Sequence, residues 1–145
     1  MSKFKAQINA HADLTEDKMR RVVVNAIQEL LQYITTSAPG VTAGGTRIEG
    51  KFPVVSSDLI RSLVSELNGG QVGSGQDSYS VALANYEIGQ FLRFAWTSEY
   101  ALRIELGFTG TDSAGRTYQQ EGWHMVGANV SRWPALVEKH ARINA

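Results

Sequence analysis

The sequence predicts an α+β fold in which a long N-terminal helix and a C-terminal helix pack on a small antiparallel sheet, with long glycine-rich loops. An apolar repeat of three and four residues fills the first part of the chain, alternating segments follow, and a second helical repeat closes it. The 145 residues suit one domain. We assign it to residues 1–145, with 1–12 as a flexible N-terminal arm and 13–142 as the folded part.

The first predicted element is a helix from about Asp13 to Ser37. Asp13 is a suitable N-cap, and Glu16 three residues later completes a capping-box pattern. Pro39 and Gly40 end the helix. The apolar residues that recur at helical spacing are Met19, Val22, Val23, Ala26, Ile27, Leu30, Leu31 and Ile34.

The middle of the chain alternates between loops and short elements. Residues 40–51 carry four glycines and predict a mobile loop. Between Phe52 and Leu67 we expect an extended start, a short helical turn near Ser57 and then a strand. Residues 68–77, rich in Gly, Ser and Gln, predict another loop.

Two alternating segments then predict an antiparallel hairpin, namely Tyr79–Ala84 and Phe91–Trp96. A short helix capped by Thr97 or Ser98 is expected to end at Gly107 in a left-handed conformation. A strand is the alternative, because apolar and charged residues also alternate between Leu102 and Phe108. We prefer the helix.

The last third of the chain begins with a polar loop, predicted from Thr109 to Glu121. From Trp123 to Ile143 the spacing of apolar residues is nearly helical, and Pro134 suits the first turn of a helix.

Composition narrows the classes of function. Fourteen basic and fourteen acidic residues cancel, whereas a protein that grips duplex DNA usually carries a basic face. There is no cysteine, and the N-terminus lacks the apolar core of a signal peptide. We therefore expect a soluble protein that is made and used inside a cell, without a membrane partner.

The sequence matches known phosphate-binding and metal-binding motifs only in part. Gly45 to Lys51 has the glycine and lysine spacing of a phosphate-binding loop, but Phe52-Pro53 follows where Ser or Thr should hold magnesium. Glu121 and His124 have Glu-x-x-His spacing, but a carboxylate-bridged metal site needs two such motifs. We predict no catalytic residue, no cofactor and no metal site. A small nucleotide-binding protein and a DNA-binding accessory protein remain the alternatives.

Assembly with other subunits fits the sequence better than catalysis. Tyr100 to Phe108 is a glycine-terminated apolar segment that leads into the polar loop. Aromatic residues beside such a loop are favoured anchors between subunits. The candidate interface residues are Tyr100, Glu105, Gly107, Phe108, Trp123 and Trp133.

Three short motifs carry a resemblance. The first is Pro53-Val54-x-Ser56-Ser57-x-Leu59-x-x-Ser62, the second is Tyr100-Ala101-x-x-x-Glu105-x-Gly107, and the closing segment contains Gly122-Trp123-His124-Met125-Val126 and Arg132-Trp133-Pro134. In their order along the chain these motifs resemble the neck and tail-completion proteins, which join head to tail in long-tailed double-stranded-DNA bacteriophages. Ser56 and Ser57 stand where that family usually has threonine and glycine.

The resemblance implies a structural virion protein rather than an enzyme. Such proteins form a homo-oligomeric ring at the head-tail junction, with six subunits favoured here and twelve as the alternative. The implied partners are further copies of the chain, the connector or stopper, and the tail terminator or tail tube. Viral DNA would pass through the ring without sequence-specific binding.

Overall fold

The computed structural model describes residues 2–54, 57–111 and 113–144, and it confirms the predicted α+β class. The helices are α1 (Ser2–Ile34), α2 (Asp58–Arg61), α3 (Ser78–Ala84), α4 (Ala101–Leu106), α5 (Gly127–Val130) and α6 (Trp133–Ile143), with a 3-10 turn at Val41–Ala43. The strands are β1 (Ser37–Pro39), β2 (Phe52–Val54), β3 (Leu63–Leu67), β4 (Gly70–Ser74), β5 (Leu92–Trp96), β6 (Gly107–Thr111) and β7 (Thr117–Glu121).

Helix α1 begins earlier than predicted. It starts at Ser2, so the predicted boundary and cap at Asp13 are wrong, and residues 2–12, predicted as an arm, are helical. The segment has three Ala and two Lys, which favour helix, and it has no Gly or Pro to interrupt one. At the other end, the Thr35 hydroxyl donates to the Leu31 carbonyl at 2.8 Å as the helix gives way to β1.

The two terminal helices pack against each other. Glu29 of α1 accepts a hydrogen bond from Lys139 Nζ at 2.7 Å, and its other oxygen lies 2.6 Å from His140 Nε2 on α6. Pro134 occupies the first turn of α6, as predicted. The pKa of the Glu29 carboxyl is held below its ordinary value, first by the bond from Lys139 and then by that from His140.

This contact predicts an acid-dependent loss of stability. Because its pKa is lower in the folded than in the unfolded chain, Glu29 stabilises the fold above its ordinary pKa of 4.5, and this contribution disappears as pH falls through the folded value. We expect Glu29→Gln to lower the melting temperature at pH 7 and the difference to shrink below about pH 4.5. Melting curves between pH 3 and 8 measure this. The exposed Glu99→Gln is the matched control, and a pH-independent difference for Glu29→Gln would contradict the prediction.

The segment from Phe52 to Leu67 folds as predicted, with strand β2, the short helix α2 and strand β3 in that order. Ser57 has φ −80° and ψ 6°, a conformation open to any residue, so no glycine is required there. Val55 and Ser56, the other part of this motif, lie outside the described residues. Strand β2 also pairs in parallel with β1, and the glycine-rich segment 40–51 connects them.

The prediction of a loop over residues 68–77 is wrong, because Gly70–Ser74 forms strand β4. Asn68 and Gly69 both have positive φ, 52° and 81°, and form the tight turn between β3 and β4. The Asn-Gly pair is a strong local hairpin signal that composition alone obscured.

Of the predicted hairpin, the strand at Phe91–Trp96 is confirmed and the strand at Tyr79–Ala84 is wrong. Residues 78–84 form helix α3, whereas β5 is a strand that pairs with β3 in a sheet of order β4-β3-β5. Helix α3 packs on β3 and β4, where the buried hydroxyls of Ser65 and Ser78 lie 2.8 Å apart.

The segment from Ala101 to Leu106 is a helix, as preferred over the strand. The prediction of a polar loop from Thr109 to Glu121 is wrong. Strands β6 and β7 form an antiparallel hairpin instead, in which Gly107 pairs with Glu121 and Thr111 with Thr117. Among the described residues, no helix is long and apolar enough to cross a membrane.

Candidate subunit interface

The three sequence motifs meet in one apolar cluster. Leu59 from the first motif and Met125 from the closing segment pack with Phe52, and all three side chains are buried. Ala101 and Ile104 of helix α4 pack against this cluster. The motif residues therefore share a structural role, since they join α2, α4 and the segment before α5.

Glu105 holds the closing segment in place. One oxygen of its carboxylate accepts the backbone N–H of Val126 at 3.0 Å, and the other accepts that of Gly127 at 2.8 Å. These amides open helix α5, so the carboxylate caps an otherwise unsatisfied helix start. Both oxygens of Glu105 are therefore used within the chain, and its role as an interface contact stays a prediction.

Beside this cap, two glycines allow the backbone at the end of α4 and the backbone after β7 to cross in close contact, and we call this point the crossing. Gly107 has φ +89° and ψ 173°, a conformation essentially reserved for glycine. A Cβ on Gly122 would lie 2.4 Å from the Glu105 carbonyl oxygen and 2.7 Å from the Leu106 carbonyl carbon. The crossing is fixed by a 2.7 Å bond from the Trp123 N–H to the Ile104 carbonyl. Gly107 thus positions the hairpin, and its contact with a neighbouring subunit stays a prediction.

Trp123 is only 1% exposed, so the prediction that its ring anchors a neighbouring subunit is wrong for the single chain. Its carbonyl accepts the Gly50 N–H at 2.7 Å, which draws the glycine-rich segment over it. Trp133 is half-buried at the start of α6, on a different element from the hairpin.

Tyr100 and Phe108 are placed as a surface contact requires. Tyr100 is exposed just before α4, and the half-buried Phe108 on β6 lies under the Arg103 guanidinium, 4.6 Å from its ring centroid. This cation–π contact keeps Arg103 beside the ring.

Helix α4 has a second apolar face that points to solvent. Leu102 and Leu106 are 69% and 65% exposed, and their spacing of four residues places them on one side of the helix. None of the six residues of α4 is buried. Sequence reasoning did not single out these two leucines, although a helical wheel separates them from the inward-facing Ile104.

A groove of about 810 Å³ runs beside α4 and the hairpin. Its apolar lining comes from Val41, Leu59, Tyr100, Ile104 and Phe108, and the charged residues Arg47, Asp58, Arg103 and Glu121 also border it. A concave apolar surface with a few charged groups suits the side chains of a protein segment.

The Gly45–Lys51 segment packs differently from a phosphate-binding loop. The N–H groups of Gly45, Gly50 and Lys51 donate to carbonyls within the chain, and strand β2 follows where a helix would be needed. Arg47 donates to the Gly122 carbonyl at 2.7 Å and so ties this segment to the glycine crossing.

His124 pairs with Glu49 at 2.7 Å rather than with Glu121, its Glu-x-x-His neighbour. This bond, followed by that from Arg47, holds the pKa of the Glu49 carboxyl below its ordinary value. No group of three or more His, Asp and Glu residues suited to a metal ion occurs in ranges 2–54, 57–111 and 113–144.

Comparison with known proteins gives no relative. No protein-family model, curated protein or solved structure matches this chain. The surface formed by α4, the groove and the β6–β7 hairpin is the candidate functional site of this chain.

Proposed function

We propose that this chain is a structural subunit that assembles with copies of itself into a ring, without enzymatic activity. The observation that carries the proposal is the apolar face of α4, where Leu102 and Leu106 are exposed side by side. Adjacent exposed leucines next to an apolar groove are typical of surfaces that a partner covers.

The β6–β7 hairpin supports the same proposal. It is a two-stranded sheet, and the residues of β7 whose burial is described are exposed. Such a hairpin is marginally stable in water unless it packs on something else. A neighbouring subunit on α4 and the hairpin would supply that packing.

We further propose that the ring is a head-to-tail joining component of a long-tailed bacteriophage, located at the head-tail junction of the virion. The support is the set of three motifs that resemble the neck and tail-completion family, together with their convergence around Phe52. On this proposal the ring has six subunits, or twelve as the alternative, and contacts the connector or stopper and the tail terminator or tube. Zero net charge suits a lumen that lets DNA pass without gripping it.

Charged substitutions on α4 test the assembly. Leu102→Asp and Leu106→Asp should each weaken self-association by about 2–4 kcal/mol, because a carboxylate would be buried against an apolar partner. Size-exclusion chromatography with light scattering measures this as a shift from a ring to smaller species.

The matched control is Ile143→Asp, because Ile143 is 67% exposed at the end of α6, away from α4. Both leucines are exposed in the single chain, so melting temperatures of the monomers should change little. If the wild-type chain stays monomeric at every concentration, alone and with connector or tail components, the proposed function is wrong.

A further inference from the structure

The N-terminal half of α1 extends beyond the packed body of the protein. Residues 3, 5–10 and 13–19 are all exposed, whereas Ala26 is fully buried. Arg20 marks the boundary, since its guanidinium donates to the carbonyls of Tyr86 at 2.6 Å and Ala84 at 3.1 Å, by the end of α3. At 1.5 Å per residue, residues 2–19 form a projection of roughly 27 Å.

This projection carries an apolar stripe in line with the buried face of α1. Ile8 and Met19 are 52% and 50% exposed and stand about three helical turns apart on the side of Ala26. Leu14 is exposed to the same degree, 51%, but lies about a third of a turn around the helix. Helices in proteins gain most of their stability from packing of an apolar face, so a partner along the stripe would stabilise the projection.

The proposed interface on α4 is too small to hold a ring together by itself. Helix α4 has six residues and is about 9 Å long, whereas a stable interface buries roughly 800 Å² on each partner. A closed ring also needs two different, complementary patches on each subunit. The projection is a convex apolar element, and the groove beside α4 is a concave one.

We propose that residues 2–19 of one copy occupy the groove of a second copy, with Ile8 and Met19 facing Val41, Tyr100 and Phe108. Charges agree with this pairing, because Glu16 and Lys18 flank the stripe on opposite sides while Arg103 and Asp58 border the groove. The inference rests on the proposed self-assembly and names the two surfaces that make it.

Cross-linking tests the contact directly, because the chain has no cysteine and single introduced thiols report one position each. Tagged Ile8→Cys and untagged Val41→Cys chains are mixed when dilute, concentrated, and treated with a short bis-maleimide. We expect covalent dimers that join the tagged and untagged chains. Leu14→Cys, at the same exposure on another side of α1, should give several-fold fewer of them with Val41→Cys.

A second variant measures the energetic role of the stripe. Ile8→Asp should raise the dissociation constant of self-association by on the order of tenfold or more, and Leu14→Asp should leave it within about twofold. Circular dichroism of both variants checks that the fold is retained.

Each outcome separates this inference from the proposed function. If rings form but no Ile8–Val41 cross-link appears, or if Ile8→Cys chains cross-link to each other instead, the docking inference is wrong and the ring proposal stands. If light scattering finds only monomers at every concentration, alone and with connector or tail components, both are wrong.

Discussion

Replacing Trp123 with alanine is expected to lower the free energy of unfolding by about 3–5 kcal/mol, the cost of removing a large ring from a packed core. The side chain is 1% exposed, and its backbone bonds to Gly50 and Ile104 join three segments of the chain. The cavity left behind would lie where these segments meet. Equilibrium unfolding in urea measures the change.

Trp133→Ala is the matched control, because it removes the same ring from a half-buried position. It should cost about 1–2 kcal/mol, in proportion to the smaller area removed from water. Equal losses for the two variants would mean that Trp123 is not the core residue described above.

Gly122→Ala is expected to cost about 3 kcal/mol, the upper end of what overpacking usually costs. The new methyl group would meet three backbone atoms within 3 Å, belonging to Glu105, Leu106 and Gly107, and backbone cannot move aside as a flexible side chain can. We expect the hairpin to separate from α4 and the melting temperature to fall sharply.

Gly70→Ala provides the comparison, because its Cβ would meet only the Leu67 carbonyl oxygen, at an ordinary 3.7 Å. That variant should be close to neutral. A Gly122→Ala chain as stable as the Gly70→Ala chain would show that the crossing is looser than described.

The elements that could be predicted are those with a clear period or a strong local signal. The repeat from Met19 to Ile34 identified α1, and Pro134 marked the first turn of α6. The N-terminal half of α1 was missed because its apolar stripe is sparse and Asp13 resembles a cap. Tyr79–Ala84 was misassigned because six residues fit either period, and packing of Ala82 and Leu83 against the sheet decides for helix.

The hairpin at 107–121 could not be predicted from periodicity, since both of its faces are largely polar or exposed. For the candidate interface, the sequence located the right region but not the roles within it. Whether Trp123 is buried depends on contacts with Gly50 and Ile104, which are distant in sequence. Glu105 was singled out as an interface residue, whereas it caps α5 across 21 positions.

The pairing of α1 with α6 also determines when the protein can complete its folding during synthesis. Glu29 and His140 are 111 residues apart, so the ribosome must release a nascent chain of at least 140 residues before they can meet. Until then the part of α1 that packs against α6 is uncovered and exposed to wrong partners during translation. A chaperone that shields this face of the nascent chain would therefore raise the yield of chains able to assemble.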